Sequence, residues 1–476
     1  MKAPRARFLL LSFACVMLGS GCMVAPSYHV PQSALINSTS ARQPFVASGD
    51  SALSDTPVLQ AWWHLYEDNR LDEWVEEALR SNTDLRQADA NLEKSRAALK
   101  EAQASRQPSF AVNAGVQYSQ LAGQQYLQPI TPPRATYYDT ELTVGYDLDL
   151  FGGIRRGIEA ARANDEAVEA ARDLARVNVA AETIRAYVDA CGAGMQLEAA
   201  VRVLSVQQQS LALTERLLQG GRAIDLDVTK SRQLVDQQTG VIPSLEAARR
   251  NALFRLVTLT GKPPALFARD LETCASPPRL THPLPVGDGA ALLKRRPDVR
   301  EAERQLAAAT AEIGVATAQL YPDISLGIPV GSIGLARTAY ESSTNFYGIG
   351  ATLSWQANQS SARARVQEAK ASAKLALANF DGVVLGALRD TESALNVYVH
   401  DLQSEDSTRR ARDEAERAVR DSERLQGAGR ATSLDVIDSQ RTYATAEQTL
   451  AQLETTLAED QVAVFLALGG GWESAQ

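Results

Sequence analysis

The chain is poor in the residues that most often carry chemistry. Its 476 residues include four Cys and four His. Cys15, Cys22, Cys191, Cys274, His29, His64, His282 and His400 are scattered with no spacing suited to zinc or redox work, so no metal and no cofactor is expected. Positive charge is also short. The 48 Lys and Arg against 57 Asp and Glu leave a net charge of −9, and such a chain lacks the basic surface that displaces phosphate counterions, which makes nucleic acid an unsuitable partner. No phosphate loop, no Ser elbow and no His-x-x-x-His occurs, and Gly327, Gly331 and Gly334 are wrongly spaced for a nucleotide fingerprint; no enzyme class is indicated. Past the amino terminus no run approaches about 18 uninterrupted apolar residues, so a membrane crossing would have to be a β-barrel. Read alone, 6% aromatics and a mean hydropathy of −0.20 describe a water-soluble chain of about three domains.

The amino terminus says where the chain goes. Lys2, Arg5 and Arg7 precede an apolar stretch from Phe8 to Leu18, and Gly19-Ser20-Gly21 leads into Cys22. Residues 1–21 therefore read as a secretory signal. Small residues before a cysteine resemble the bacterial lipobox, which implies Cys22 as a lipidated first residue and 22–60 as a lipid-anchored segment. Gly19 stands where that motif usually has Leu. The plain alternative is an ordinary cut that leaves Cys22 a thiol. Loss of 1–21 removes three positive charges and no negative ones, taking −9 to −12.

Two segments repeat at a constant offset of 208. GRAIDLDVTKS (221–231) aligns with GRATSLDVIDS (429–439), and the register holds without a gap to Gly261 over Gly469, with ten identities in 41 positions. The chain is an internal duplication. Pro108 and Pro322 also correspond between the halves, outside that ungapped register, each opening a run of period-two alternation. Phe110, Val112, Ala114, Val116 and Tyr118 alternate with small or polar residues, as do Leu142, Val144, Tyr146, Leu148 and Leu150. Ile324, Leu326, Ile328 and Val330, then Tyr347, Ile349, Ala351, Leu353 and Trp355, repeat the pattern. Strands are expected at about 109–120, 138–150, 322–333 and 345–355, each long enough to cross a bilayer obliquely.

The remainder reads as helix. Residues 155–219 contain no proline, and Leu197, Val201, Leu204, Leu211 and Leu218 fall on heptad spacing with Gln208 and Glu215 at the other seam positions. At 1.5 Å per residue such a helix is about 100 Å long. Leu385, Leu388, Leu395, Val399 and Leu402 mark a similar stretch over 358–426. Seams so poor in large side chains require neighbours on both sides. The fold class expected is mostly α with transmembrane β: a first repeat over 61–261, a Pro-rich equatorial linker over 262–289, a second repeat over 290–471 and a tail of 472–476. Trp62 and Trp63 suit core packing better than an interfacial anchor. The Glu/Arg-rich 408–424 reads as solvated helix faces. Cys191 falls mid-helix and Cys274 in the linker, and the sequence does not pair them.

Four strands cannot close a barrel, and open edges are not tolerated in lipid. Strands of several chains must join, twelve in a trimer, and a barrel continued by helices is a conduit. Soluble strands on a coiled-coil stalk are the competing reading.

LLKRRPDVREAERQLAAATAEIGVATAQLYPDISLG (292–327) resembles the signature of TolC-like outer-membrane efflux proteins of the NodT-type lipoprotein branch. CMVAPSY (22–28), WWHLYEDNRLD (62–72) and the two LDV segments are similar to that branch in order and spacing. Where the family usually has a Pro and a Phe-Asp-Gly-Gly-like turn after the fourth strand, Leu353 to Asn358 stands instead, which puts the strand-to-helix geometry near Gln356 in question. The resemblance implies a homotrimer with a twelve-stranded barrel, a periplasmic helical tunnel, and a tripartite pump whose RND-type inner-membrane transporter and periplasmic adaptor deliver cargo to this passive duct. It implies further that Asp227, Asp435 and Asp438 ring a closed entrance opened by adaptor docking, and that Gly221, Arg222, Gly429 and Arg430 receive the adaptor's hairpins. A polypeptide-secretion duct shares this architecture, and a non-conducting structural lipoprotein of the periplasm is the alternative of another class.

Overall fold

The computed structural model describes residues 27–56, 61–120, 122, 131–280 and 282–470. The expected signal peptide, Cys22 and the tail 472–476 lie outside these residues. Among them the strands of the larger sheet are β1 (Ser109–Ser119), β2 (Ala135–Asp147), β3 (Asp323–Leu335), β4 (Asn345–Tyr347) and β5 (Gly350–Ser354). The α-helices are α1 (Asn69–Ser81), α2 (Thr83–Ala104), α3 (Gly153–Gln219), α4 (Asp225–Leu259), α5 (Gly289–Arg295), α6 (Pro297–Ala318), α7 (Ser360–Gly427) and α8 (Ser433–Ala467). The chain forms two compact units, one of 1–31, 92–168 and 302–380, the other of 32–91, 169–301 and 381–476.

The first unit holds an antiparallel sheet in the order β1-β2-β3, with β4 and β5 both paired to β3. Its register sets Val112 beside Leu142, Leu142 beside Val330 and Val330 beside Tyr347, so one face carries an apolar row across every strand. Asn113, Glu141, Gly331 and Phe346 share the opposite face. Phe110, Val112, Val116 and Tyr118 are more than 70% exposed in the single chain. Both outer edges, β1 and β4/β5, lack a partner strand within the chain among the described residues.

Two strands depart from the expected pattern. β2 ends at Asp147 although the alternation continues to Leu150, because Asp149 turns the chain into α3: its carboxylate accepts from the backbone N–H groups of Ile154 and Arg155 at 3.0 and 2.9 Å. The fourth strand is split into β4 and β5. Gly348 N–H donates to Pro329 O at 3.0 Å, but Pro329 has no N–H to return, so the ladder breaks there. The turn beyond β5 is built without the family's glycines. Trp355 Nε1 and Gln359 Nε2 both donate to Leu320 O, at 3.2 and 2.8 Å, and Asn358 Oδ1 accepts from Ser360 N–H at 3.2 Å. The helical part of this unit packs through small residues, Ala163 against Ala307 and Ala308. Buried Arg156 lies over Gly314, where a Cβ would stand 2.6 Å from its side chain.

The second unit has its core where the amino-terminal segment, α3, α4, α8 and the Pro-rich stretch meet. Trp62 is wholly buried and stacks on Phe465 with centroids 4.3 Å apart, so Trp62 is a packing residue. Cys191 of α3 and Cys274 are joined by a disulfide, with Cα atoms 4.8 Å apart and a sequence separation of 83. Close approach makes the bond possible: a Cβ on Gly194 would fall 1.9 Å from Cys274 O. Leu53–Ser54 pairs in parallel with Leu284–Pro285, tying the amino-terminal segment to the Pro-rich stretch.

Farther along the coil the buried stripe of α3 is Val203, Gln207, Ser210 and Thr214, one position away from the leucine seam expected from the heptads. Leu204, Leu211 and Leu218 are only partly covered, and Val201 is exposed. The helix therefore gives its small and polar stripe to its own chain and keeps its leucines at the margin.

Candidate functional site at the helical tips

Two hairpins of the second unit end in turns that the duplication repeats atom for atom. In the first, Gly221 N–H donates to Leu218 O at 2.9 Å and Arg222 N–H to Leu217 O at 2.8 Å; in the second, Gly429 N–H donates to Gln426 O at 2.9 Å and Arg430 N–H to Leu425 O at 2.8 Å. These paired bonds satisfy the last carbonyls of α3 and α7 and require a left-handed residue, which glycine adopts without strain. Gly221 and Gly429 have φ of 70° and 74°. No atom would meet a Cβ at either position within 4 Å, so conformation and not crowding demands glycine, and the backbone beside Arg222 and Arg430 is bare.

The aspartates begin the returning helices. Thr432 and Asp435 form a reciprocal cap at the start of α8: the Asp435 carboxylate accepts from Thr432 N–H at 2.8 Å and from its hydroxyl at 2.7 Å, while Asp435 N–H donates back to Oγ1 at 3.3 Å. The hydrogen bonds from Thr432 hold the Asp435 carboxyl below the usual range. Asp227 makes half of this arrangement, accepting from Ile224 N–H at 3.4 Å, because Ile224 has no oxygen to answer it. Asp438 is exposed, and its side chain takes no part in a cap. The duplication places Lys230 opposite Asp438 and Asp225 opposite Ser433, so the two tips carry their charges at different positions. Each tip thus gathers its own glycine, arginine and aspartate. Among the described residues no hydrogen bond or ion pair joins Asp227 to Asp435 or Asp438.

Sequence reasoning passed over three features of this site. Leu226 and Leu434, equivalent by the 208 offset, are 53% and 55% exposed beside the turns, a signal present in the LDV repeats. Arg232 donates to Glu215 at 3.0 Å across the first hairpin, and its equivalent Gln440 donates to Glu423 at 3.1 Å across the second. Glu447 of α8, nearly buried, is bridged by Arg202 of α3 at 2.7 Å and by Arg412 of α7 at 3.4 Å. The Glu/Arg-rich faces of α7 otherwise pair along the helix, as Arg420 does with Glu416 at 2.6 Å.

The sequence profile of the family described as Outer membrane efflux protein matches residues 74–262 and 290–470. Nodulation protein T of Rhizobium leguminosarum bv. trifolii is 29% identical over 460 residues, covering 96% of each chain. The pyoverdine export outer membrane protein OpmQ of Pseudomonas aeruginosa is 29% identical over 480 residues, covering 98% of this chain and 97% of its own. Among solved structures, the outer-membrane channel OprN superposes with a TM-score of 0.88 at 33% identity, over 95% of this chain and all of its own.

Proposed function

The chain belongs to the outer membrane efflux protein family, whose fold is a helical barrel with a β domain, and from that premise we propose that it is the exit duct of a tripartite pump. The observation that carries this is the sheet, open at both edges and apolar along one face. Such edges are not left unpaired in lipid, and three copies joined edge to edge give a twelve-stranded barrel with Val112, Leu142, Val330 and Tyr347 toward the acyl chains and the opposite face, with Asn113 and Glu141, toward water. Exposed Leu375 and Leu385 of α7, with the marginal leucines of α3, suit contacts between copies of the same trimer. Cys22 would carry the lipid that adds an anchor to the outer membrane.

The tips are the periplasmic entrance. Asp227, Asp435 and Asp438, tripled by the symmetry axis, would make rings of carboxylates that narrow and charge the opening. Gly221, Arg222, Gly429 and Arg430, with Leu226 and Leu434 beside them, offer bare backbone, cations and apolar side chains to the hairpins of a periplasmic adaptor, whose docking would spread the coils. Energy would come from an RND-type transporter of the inner membrane. Relatives named for pyoverdine and for cations share this fold, so the duct is expected to pass small molecules with little selection by binding. The expectation about domain limits stands as part of this proposal, with repeats over 61–261 and 290–471 separated by the equatorial linker. Purified protein should give heat-modifiable trimers and ion conductance in planar bilayers, and single cysteines at 222 and 430 should capture the adaptor on cross-linking. A chain that neither conducts nor trimerises overturns the proposal.

A further inference from the structure

α8 is held between two neighbours. Gln196 of α3 donates to Thr455 at 3.1 Å on one side, and Gln461 donates to Tyr398 of α7 at 3.3 Å on the other. Between these contacts, adjacent residues of α8 meet acids on both flanks. The Glu459 carboxyl lies within hydrogen-bond reach of Asp189 of α3, and that of Asp460 within reach of Asp401 of α7. The cations nearby are committed: Arg255 of α4 pairs with Asp189, and Arg185 of α3 pairs with Glu182 at 2.6 Å. Asp460 Oδ2 is buried with no hydrogen-bond partner. Tyr398 is the other titratable group beside Asp460.

Two carboxyls in contact cannot both ionise cheaply, whereas one proton in each pair turns repulsion into a hydrogen bond. Arg255 keeps Asp189 the acceptor, which leaves Glu459 as the acid that holds the proton. One to two turns away the same helices are tied by groups that stay charged at all moderate pH: Arg279 bridges Glu405 at 2.9 Å, and Arg409 bridges Glu405 at 2.6 Å and Glu454 at 2.9 Å. α8 therefore has a constant tether near 454 and a titratable one at 459 and 460.

We propose that the Glu459–Asp189 and Asp460–Asp401 pairs are a proton-operated clasp, which holds α8 to α3 and α7 when each pair shares a proton and releases it when both pairs ionise. This rests on the reading of the chain as a gated duct, since α8 begins at the tip that carries Asp435 and Asp438, and it gives the closed coil a dependence on periplasmic pH. Burial, then the facing carboxylates, push Glu459 and Asp460 up to about 7. Both values are raised by folding, so the clasp is complete below the unfolded values and is lost as pH rises through about 7.

The test is the thermal midpoint of the full-length trimer from pH 5.5 to 8.5, with hydrogen exchange of the 450–467 segment corrected for its intrinsic pH dependence. The wild type should lose stability in a step centred near pH 7, with exchange at least threefold faster at pH 8 than at pH 6. Glu459→Gln with Asp460→Asn, neutral at every pH, should remove the step, while Asp435→Asn should keep it. Should the first pair of changes prevent trimerisation, Asp189→Asn with Asp401→Asn, which leaves α8 unaltered and removes the facing charges, should move the same step to lower pH. A wild type without a step, or carboxamide variants that titrate like it, overturns the clasp. A step that vanishes in EDTA also overturns it, by assigning the pairs to a divalent cation. A step in stability with no conductance at any pH counts against the duct and leaves the clasp standing.

Discussion

Gln440 donates its side-chain amide to Glu423 across the second tip at 3.1 Å, in the place where Arg232 reaches Glu215 across the first. The duplication has kept the bridge and changed its charge. An Arg–Glu pair in the first hairpin is an ion pair on an exposed surface, worth little and screened by salt, while the Gln–Glu bond leaves Glu423 with its charge uncompensated. Taken together the second tip is the more negative of the two, since Asp438 opposite Lys230 and Gln440 opposite Arg232 outweigh Asp225 opposite Ser433.

That asymmetry bears on conduction. Asp435→Ala with Asp438→Ala should raise single-channel conductance in planar bilayers, because the charged ring would be dispersed and the start of α8 loosened. Asp438→Asn alone separates the causes, since it removes charge and leaves the cap in place. Unchanged conductance in the double variant would refute the assignment of the gate.

The cap of α8 can be tested by itself. Thr432→Ala removes a hydroxyl that both donates and accepts, and a Thr cap is usually worth about 1 kcal/mol. Hydrogen exchange in the first turn of α8 should rise about fivefold, while the α4 start, where Ile224 gives no such bond, should be unaffected by the equivalent Ile224→Ala. Acid should act the same way. The lowered Asp435 value means its contribution is present above pH 3.8 and is lost as pH falls through the folded value.

The disulfide closes a loop of 83 residues, for which chain entropy gives about 4.5 kcal/mol. Cys191→Ser with Cys274→Ser, or reduction of the wild type, should lower the denaturant midpoint of the second unit without altering the conductance of trimers that remain folded. Equal midpoints for oxidised and reduced protein would show that packing alone holds the segment to α3.

Trp62→Ala should cost about 3 to 5 kcal/mol, the usual penalty for removing a large buried ring, because Trp62 fills the space against Phe465. Trp62→Phe should recover more than half of that. A fluorescence-monitored unfolding series on both variants would decide it, and near-equal midpoints would mean the site collapses onto the vacancy.

Much of the architecture was legible because it depends on period and repetition. Alternating Phe110 to Tyr118 and their counterparts can sit only as strands, and the long Ala-rich runs only as helices. The tips were legible because Gly221 and Gly429 stand at the same place in two copies. The leucine seam of α3 was misplaced by one position, since heptads report apolar side chains and the buried stripe inside this chain is Val203, Gln207, Ser210 and Thr214. Small and polar residues leave no hydrophobic periodicity to find. Glu459 and Asp460 were equally silent, because two acids on a helix look solvated until the helices facing them are known.

Local order was thus determined by the sequence alone: the two repeats, the alternating strands, the glycine turns and the acidic starts of the returning helices all follow from residue type at a fixed spacing. The tertiary structure alone decided which distant groups meet. Cys191 meets Cys274 because Gly194 lets backbone come close, β4 and β5 part because Pro329 across the ladder has no N–H, and Asp460 meets Asp401 because α8 lies against α7. Spacing along the chain carries no information about contacts set by how helices pack.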